Sequence, residues 1–264
     1  MEEIILLNGD KWNVNDLLER MNEDNFYYGY CSTSMFSSSK VKDMSKSPKS
    51  YYYIDKYKKS QQPLRDGTLF HLSILEPDKF DKQIFAPVRS KNTIKYKEMK
   101  KENTADVYTL QEKEDAERLA QAFLLNQRAV SMIRDSKTEV PMVGMVDGIP
   151  FRGKADVLTN SGKLIDLKTC QNISNFKKDA YALGYNVQAY LYCELYKISY
   201  KNFYFIAIDK KSLDIGIYDC SKEFIESGKA TVKKVLDAYK THLHNKEAEE
   251  VKDFIDNYCF TDTL

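Results

Sequence analysis

Glu139, Asp156, Asp166 and Lys168 are the residues whose types and spacing suit metal-assisted hydrolysis. Asp166 and Lys168 lie two apart in Ile165-Asp166-Leu167-Lys168-Thr169, so on a strand they project from one face. Asp156 closes the run Gly153-Lys154-Ala155-Asp156, and Asn160-Ser161-Gly162 supplies turn chemistry between the two runs. A hairpin closed there sets Asp156 opposite Asp166. Val140 to Val146 is β-prone, and Asp147-Gly148 after it is a two-residue hairpin signal. A turn at that dipeptide sets Glu139 opposite Asp156. Three antiparallel strands then hold the three carboxylates in one row with Lys168 beside them, unless a bulge shifts the register.

Like charges directly opposite each other destabilise a sheet, so such a row calls for a cation. Oxygen ligands favour Mg²⁺ or Mn²⁺ over zinc. One or two such ions place a nucleophile, neutralise a phosphate and assist the leaving oxygen of a phosphodiester. A lysine two residues from a metal-binding acid orients the attacking water or helps deprotonate it, and burial and a nearby cation lower its pKa. Asp-x-Lys alone is common as a surface salt bridge. The acid upstream across a turn and Gln188-x-x-x-Tyr192 downstream make the pattern more specific. Gln188 and Tyr192 are four apart and share a helix face.

At 264 residues, with 42% hydrophobic and 30% charged residues, the chain reads as one large domain, or one domain with appendages, of a soluble protein with a real core. Forty basic residues nearly balance thirty-nine acidic ones, so any nucleic-acid groove must be local. Cys31, Cys170, Cys193, Cys220 and Cys259 are scattered without CxxC spacing. Neither a disulfide framework nor a zinc or iron–sulfur site is suggested, and reduced thiols in a cytosol are the plain reading. Met-Glu-Glu-Ile is not a signal-peptide start, and no stretch reaches membrane-spanning length.

Along the chain, Asn13-Val14-Asn15-Asp16 reads as a helix start, and Trp12 as a packing residue. Residues 31–48 are rich in serine and lysine. Ser38, Lys40 and Lys42 there belong either to a capped, solvated helix or to a surface that meets phosphates. Tyr51, Tyr52, Tyr53 and Tyr57 read as rings packing a helix onto the body. Gly67 to Pro77 is an apolar helix closed by proline, and His71 within it reads as a core histidine. Residues 81–110 look irregular and lysine-rich, either a mobile loop over a substrate channel or ordinary surface. Residues 111–135 read as one helix, 203–208 as a buried strand, 214–218 as its partner and 221–243 as a last amphipathic helix. The remainder is charged and peripheral.

These motifs, in this order, resemble the PD-(D/E)XK nuclease superfamily, and more narrowly the exonuclease VIII (RecE)-like phage and prophage exonucleases. The resemblance rests on Gly67 to Pro77 with His71, Glu139, Gly153 to Asp156, Ile165 to Thr169, Phe176 to Ala180, Tyr185 to Tyr192 and the Ser38 to Pro48 stretch. It implies an α/β (α+β) fold: a restriction-endonuclease-like mixed sheet flanked by helices. Residues 1–110 would be an N-terminal helical elaboration carrying His71, 111–243 the core and 244–264 a tail. It also implies roles. Asp156, Asp166 and the Leu167 carbonyl would hold metal, and His71 and Glu139 would complete the metal region, reversing the core reading of His71. Lys168 would be the catalytic lysine, and Gln188 and Tyr192 would position the phosphate or the DNA end. Ser38, Lys40, Lys42, Lys177 and Lys178 would meet DNA.

The implied activity is Mg²⁺-dependent (or Mn²⁺-dependent) 5′ to 3′ degradation of one strand of linear duplex DNA, leaving 3′ overhangs for recombination by strand annealing. The implied partners are double-stranded DNA ends, further copies in a trimeric or tetrameric ring like that of lambda exonuclease, and a single-strand annealing protein (RecT-like or lambda beta-like). The implied setting is the cytoplasm of a bacterial or phage-infected cell, with no membrane role. A structure-specific or site-specific endonuclease and a non-catalytic DNA-binding protein on the same core are the alternatives. Cys193 has no companion cysteines at suitable spacing, which disfavours the iron–sulfur branch of the superfamily.

Overall fold

In the computed structural model, which describes residues 3–53 and 62–259, both hairpin turns form where their residues demand them. Tyr57 lies outside the described residues. The chain opens with the ribbon β1 (Glu3–Ile5) and β2 (Lys11–Asn13). Asn13 caps α1 (Val14–Arg20), its side chain accepting from the N–H groups of Asn15 and Asp16. Trp12 packs edge-on against Phe26, 5.6 Å between ring centres, as a packing residue does. A π-helical turn, Phe26–Tyr30, leads through α2 (Cys31–Ser34) to α3 (Ser38–Lys46) and α4 (Pro48–Tyr52). Next come α5 (Gln62–Leu75) and α6 (Pro77–Asp81), whose proline starts the second helix as it ends the first.

Residues 81–110 depart from the irregular reading. They hold β3 (Ile84–Ala86), α7 (Ile94–Glu102) and β4 (Val107–Thr109), the two strands pairing in parallel. Strands of three residues are too short to show an alternation. The single helix read over 111–135 is two, α8 (Leu110–Leu125) and α9 (Gln127–Ile133). Asn126 between them is extended, and its side chain caps α9 by accepting from Ala129 N–H at 2.9 Å.

The central sheet follows: β5 (Ser136–Val146), β6 (Ile149–Thr159), β7 (Leu164–Cys170), then α10 (Phe176–Ala182) and α11 (Tyr185–Tyr196) crossing to β8 (Phe203–Asp209) and β9 (Ile215–Asp219). The spatial order is β5-β6-β7-β8-β9, with β7 and β8 parallel and the other neighbours antiparallel. The fold is thus α/β, a mixed five-stranded sheet flanked by helices. On one face Phe70 of α5 and Leu119 and Phe123 of α8 pack on Val157, Ile165, Leu167, Ile206 and Ile208. On the other, α10, α11 and α12 (Lys222–His242) cover Ala155, Leu164, Phe203, Phe205 and Ala207. The segment after 243 is not simply peripheral: α13 (Ala248–Asn257) buries Val251 and Ile255. No helix among the described residues is long and apolar enough to cross a membrane.

Candidate active site

The register of β5 on β6 runs from Val146↔Ile149 to Ser136↔Thr159, the one that a turn at Asp147-Gly148 dictates. Both turn residues have positive φ, 51° and 76°, as a two-residue hairpin of this hand requires. The ladder skips one position: Glu139 and Asp156 face each other without pairing, and Glu139 is left-handed at φ 51°. The alternation along β6 changes at that point. Gly153 and Ala155 face α11, whereas Val157 packs with α5 and α8. The β6–β7 ladder also keeps its expected register, Leu158↔Leu164 and Val157↔Ile165, and then ends. Where Asp156 and Asp166 would pair next, the strands part, and the Asp156 carboxylate accepts from Leu167 N–H at 2.7 Å. The carboxylate at this break is therefore held by a side-chain bond in place of the ladder.

α5 brings His71 to the break from the far side of β7. Its Nε2 lies 2.8 Å from the Leu167 carbonyl, and its Nδ1 lies 3.5 Å from Asp156 Oδ2. The ligand atoms of His71, Glu139 and Asp156 all fall within 4.8 Å of one another. Asp166 stands beside this cluster rather than in it. One of its oxygens accepts from Gln188 Nε2 at 2.5 Å and the other meets the Lys168 ammonium. Tyr192, one turn along α11 from Gln188, donates its hydroxyl to the Lys154 carbonyl at 2.9 Å. Its ring packs against Gly153, where an added Cβ would sit 3.1 Å from Tyr192 Cε1. The shared helix face of Gln188 and Tyr192 thus fastens α11 to the two strands that carry the aspartates.

The electrostatics match the crowding. Burial and then Asp166 push the Asp156 carboxyl well above its ordinary range. Burial and then Asp156 push Glu139 up to about 7. Burial, aided by Lys168, lowers His71, which favours the neutral ring. Burial opposes the charge on Lys168, but Asp166 and Asp156 together outweigh it and raise the pKa. A neutral His71 donating Nε2–H to Leu167 turns a bare Nδ1 toward Asp156. Two carboxyl groups and an imidazole lone pair then converge, and the crowding that favours their protonated forms is the crowding a divalent cation would relieve. Asp166 and the Leu167 carbonyl adjoin it.

The basic residues divide. Ser37 is the N-cap of α3, and Ser37, Ser38 and Ser39 line a cavity of about 220 Å³ together with His71, Glu139, Asp156 and Tyr192. Lys40 turns back to donate to the Met35 carbonyl at 3.0 Å. Lys42 packs on Gly184, and its ammonium lies 5.9 Å over the Tyr185 ring that Lys168 also faces at 5.0 Å. Burial and then Lys168 lower Lys42 to about 8. Lys177 lines a separate hollow with Phe176, Tyr218 and Phe224, and neither it nor the exposed Lys178 borders the cavity. Sequence reading missed Arg152 and Lys154, which do line it. Their signal was available, since Arg152, Lys154 and Asp156 alternate along β6. Lys154 Nζ is held by Asp24 at 3.1 Å, with Glu139 3.7 Å away. Arg152 donates Nη1 to the Tyr27 carbonyl at 2.7 Å, while its buried Nε has no partner among the described residues.

Residues 37–256 match the family described as a PDDEXK-like domain of unknown function (DUF3799). No protein of curated function matches the chain. The chain is similar in fold to the crystal structure of a candidate exonuclease from Eubacterium rectale, with TM-score 0.61 and 15% identity over 92% of this chain and 95% of that one. A second structure, SSO0001, aligns with 50% of this chain and 61% of its own at TM-score 0.33 and 13% identity, too slight a likeness to carry an argument.

Proposed function

The chain belongs to the family of PDDEXK-like domains, and from that premise we propose that it is a divalent-metal-dependent exodeoxyribonuclease. It would degrade one strand of linear duplex DNA from the 5′ end and leave 3′ overhangs for recombination by strand annealing. The observation that carries the reading is the convergence of His71, Glu139 and Asp156 within 4.8 Å, next to the Asp166–Lys168 pair.

His71, Glu139 and Asp156 would hold Mg²⁺ or Mn²⁺, with Asp166 and the Leu167 carbonyl adjoining, and the imidazole favours Mn²⁺ more than an oxygen-only set would. The bound ion supplies Lewis acidity toward a phosphate oxygen and a lowered pKa for water. The remaining work falls to the chain. In hydrolysis a water oxygen bonds to phosphorus, the P–O3′ bond breaks, and the departing 3′ oxygen gains a proton. Lys168 would orient the attacking water and accept its proton as the amine, the form burial favours where a cation offsets the charges of Asp166 and Asp156. Gln188 orients Asp166, and Tyr192 fixes the strand bearing Lys154. Arg152, Lys154 and the serines at the start of α3 line the same cavity, where they would receive the neighbouring phosphates.

A near-neutral chain gains a local basic path if copies close into a ring around DNA, and an annealing protein would take the exposed strand. The test is purified protein with Mg²⁺ or Mn²⁺ on end-labelled linear duplex and on covalently closed circles. Early release of the 5′ label from linear DNA with intact circles upholds the proposal. Nicked circles point to an endonuclease, and no cleavage of either substrate overturns it.

A further inference from the structure

The π-helical turn Phe26–Tyr30 is fastened on every side but one. Phe26 stacks on Tyr30 at 5.0 Å between ring centres and carries the Arg20 guanidinium 4.9 Å above its face. Tyr30 accepts from Trp12 Nε1 at 3.0 Å. Tyr27 is buried, with its carbonyl bonded to Arg152 and its ring 4.1 Å beneath that guanidinium. Tyr28 alone among the aromatic residues of the turn is open to solvent, 62% exposed. Single π turns inside helical segments often mark functional sites, and here the irregularity delivers one ring outward while its neighbours are locked.

The ring is not on neutral ground. Tyr28 lines the same cavity as His71, Glu139, Asp156, Arg152 and Lys154. The Lys154 ammonium lies 5.9 Å from its ring centre, and Tyr27 meets it edge-on at 5.0 Å and 86°, which fixes its plane. A ligand that fills this place needs an apolar planar face at one end and an anionic group at the other. A nucleotide has both, and base–aromatic stacking tolerates any sequence. The faces of bases inside a duplex are already covered by their neighbours, so an open ring at the site selects a base that is terminal or unpaired.

We propose that Tyr28 is a stacking platform for the unpaired nucleobase at a DNA end, and that it positions the adjoining phosphodiester at the His71–Glu139–Asp156 cluster. The inference rests on the nuclease reading above and gives it a reason for preferring ends. Tyr28 is a positioning residue, since it touches the base and not the reacting atoms.

The experiment uses duplex DNA with 2-aminopurine as the 5′-terminal base, bound in Ca²⁺ so that binding is read apart from cleavage. Wild type and Tyr28→Phe should quench the fluorescence on binding, whereas Tyr28→Ala and Tyr28→Leu should not. With Mg²⁺ or Mn²⁺, KM for blunt duplex should rise about ten-fold in the alanine and leucine variants, an effect in the range of one lost base stack. That rise should shrink on substrates with a pre-frayed end. Full quenching or an unchanged KM in Tyr28→Ala overturns the inference, as does full function in Tyr28→Leu, which keeps apolar bulk without the π face. Tyr28→Phe and equal melting temperatures control for folding. If the wild type cuts nothing, the nuclease reading fails. Tyr28-dependent quenching would still uphold stacking in that case, and its absence would remove both.

Discussion

Glu139→Gln separates a carboxylate kept for a cation from one kept for the fold. In the cation-free protein, burial and Asp156 raise Glu139 from 4.5 to about 7. An acid raised on folding binds its proton in the folded chain at pH values where the unfolded chain has released it. Stability therefore falls as pH rises through the window from 4.5 to about 7, and stays lowered above it. At about 1.4 kcal/mol per pH unit, that window amounts to ~3 kcal/mol. The amide of Glu139→Gln carries no charge at any of these pH values and loses this slope. At pH 8 in EDTA the variant should be more stable than wild type by up to ~3 kcal/mol, or about 6–10 °C in Tm for a chain of this size. At pH 4 the two should nearly coincide. Added Mn²⁺ should reverse the order at pH 8, because a ligand that binds only the folded state stabilises it and the variant binds that ligand less well. Differential scanning fluorimetry across pH, with EDTA and with Mn²⁺, reads all of this. A variant less stable than wild type at pH 8 in EDTA, or one with an equal gain from Mn²⁺, would refute the assignment of Glu139 to a cation site.

The other predictions follow from the same contacts. Asp166→Asn should abolish cleavage with an unchanged circular-dichroism spectrum. Asp166→Ala should in addition lose about 1–3 kcal/mol, read by urea melts, because the half-buried Lys168 ammonium loses its partner. Lys168→Ala should retain DNA binding by anisotropy while single-turnover cleavage slows at least about a hundred-fold, and an unchanged rate would remove its catalytic role. Gly228→Ala should destabilise the fold by about 1–3 kcal/mol, since a Cβ there would stand 2.1 Å from the Asn186 carbonyl oxygen and force α12 away from α11. A melting temperature equal to wild type would mean that the two helices separate without cost.

Much of the site was legible along the chain because turn chemistry acts locally. Asp147-Gly148 and Asn160-Ser161-Gly162 fix their hairpins within a few residues, and with side-chain period two they carry Glu139, Asp156 and Asp166 to neighbouring strands. The Asp166–Lys168 contact needs nothing beyond that period. Asn13 announced its helix by capping, another local bond. The short elements within 81–110, the break at Asn126 and the burial of α13 were not legible, since three-residue strands carry no periodicity and a charged helix shows its apolar stripe only against a partner.

Long-range packing decided the rest. His71 is 96 residues from the Leu167 carbonyl it meets, and its own segment reads as plain apolar core. The family resemblance alone implied a metal role for it, and the docking of α5 on the sheet is what brings its ring to Asp156. Likewise the register puts Asp166 in the acidic row, and in the fold its oxygens meet Gln188 and Lys168 while His71, Glu139 and Asp156 are the groups whose ligand atoms converge. Tyr28 is one of 19 tyrosines in the sequence, and nothing local marks it. Its exposure beside the cavity follows from how Trp12, Arg20 and Arg152 pin the turn around it. Types and spacings thus determined which carboxylates and which lysine come near one another, because hairpin geometry is set by neighbours in sequence. Which atoms converge, and which ring stays open, depended on helices packing across the sheet, an energy that no local stretch contains.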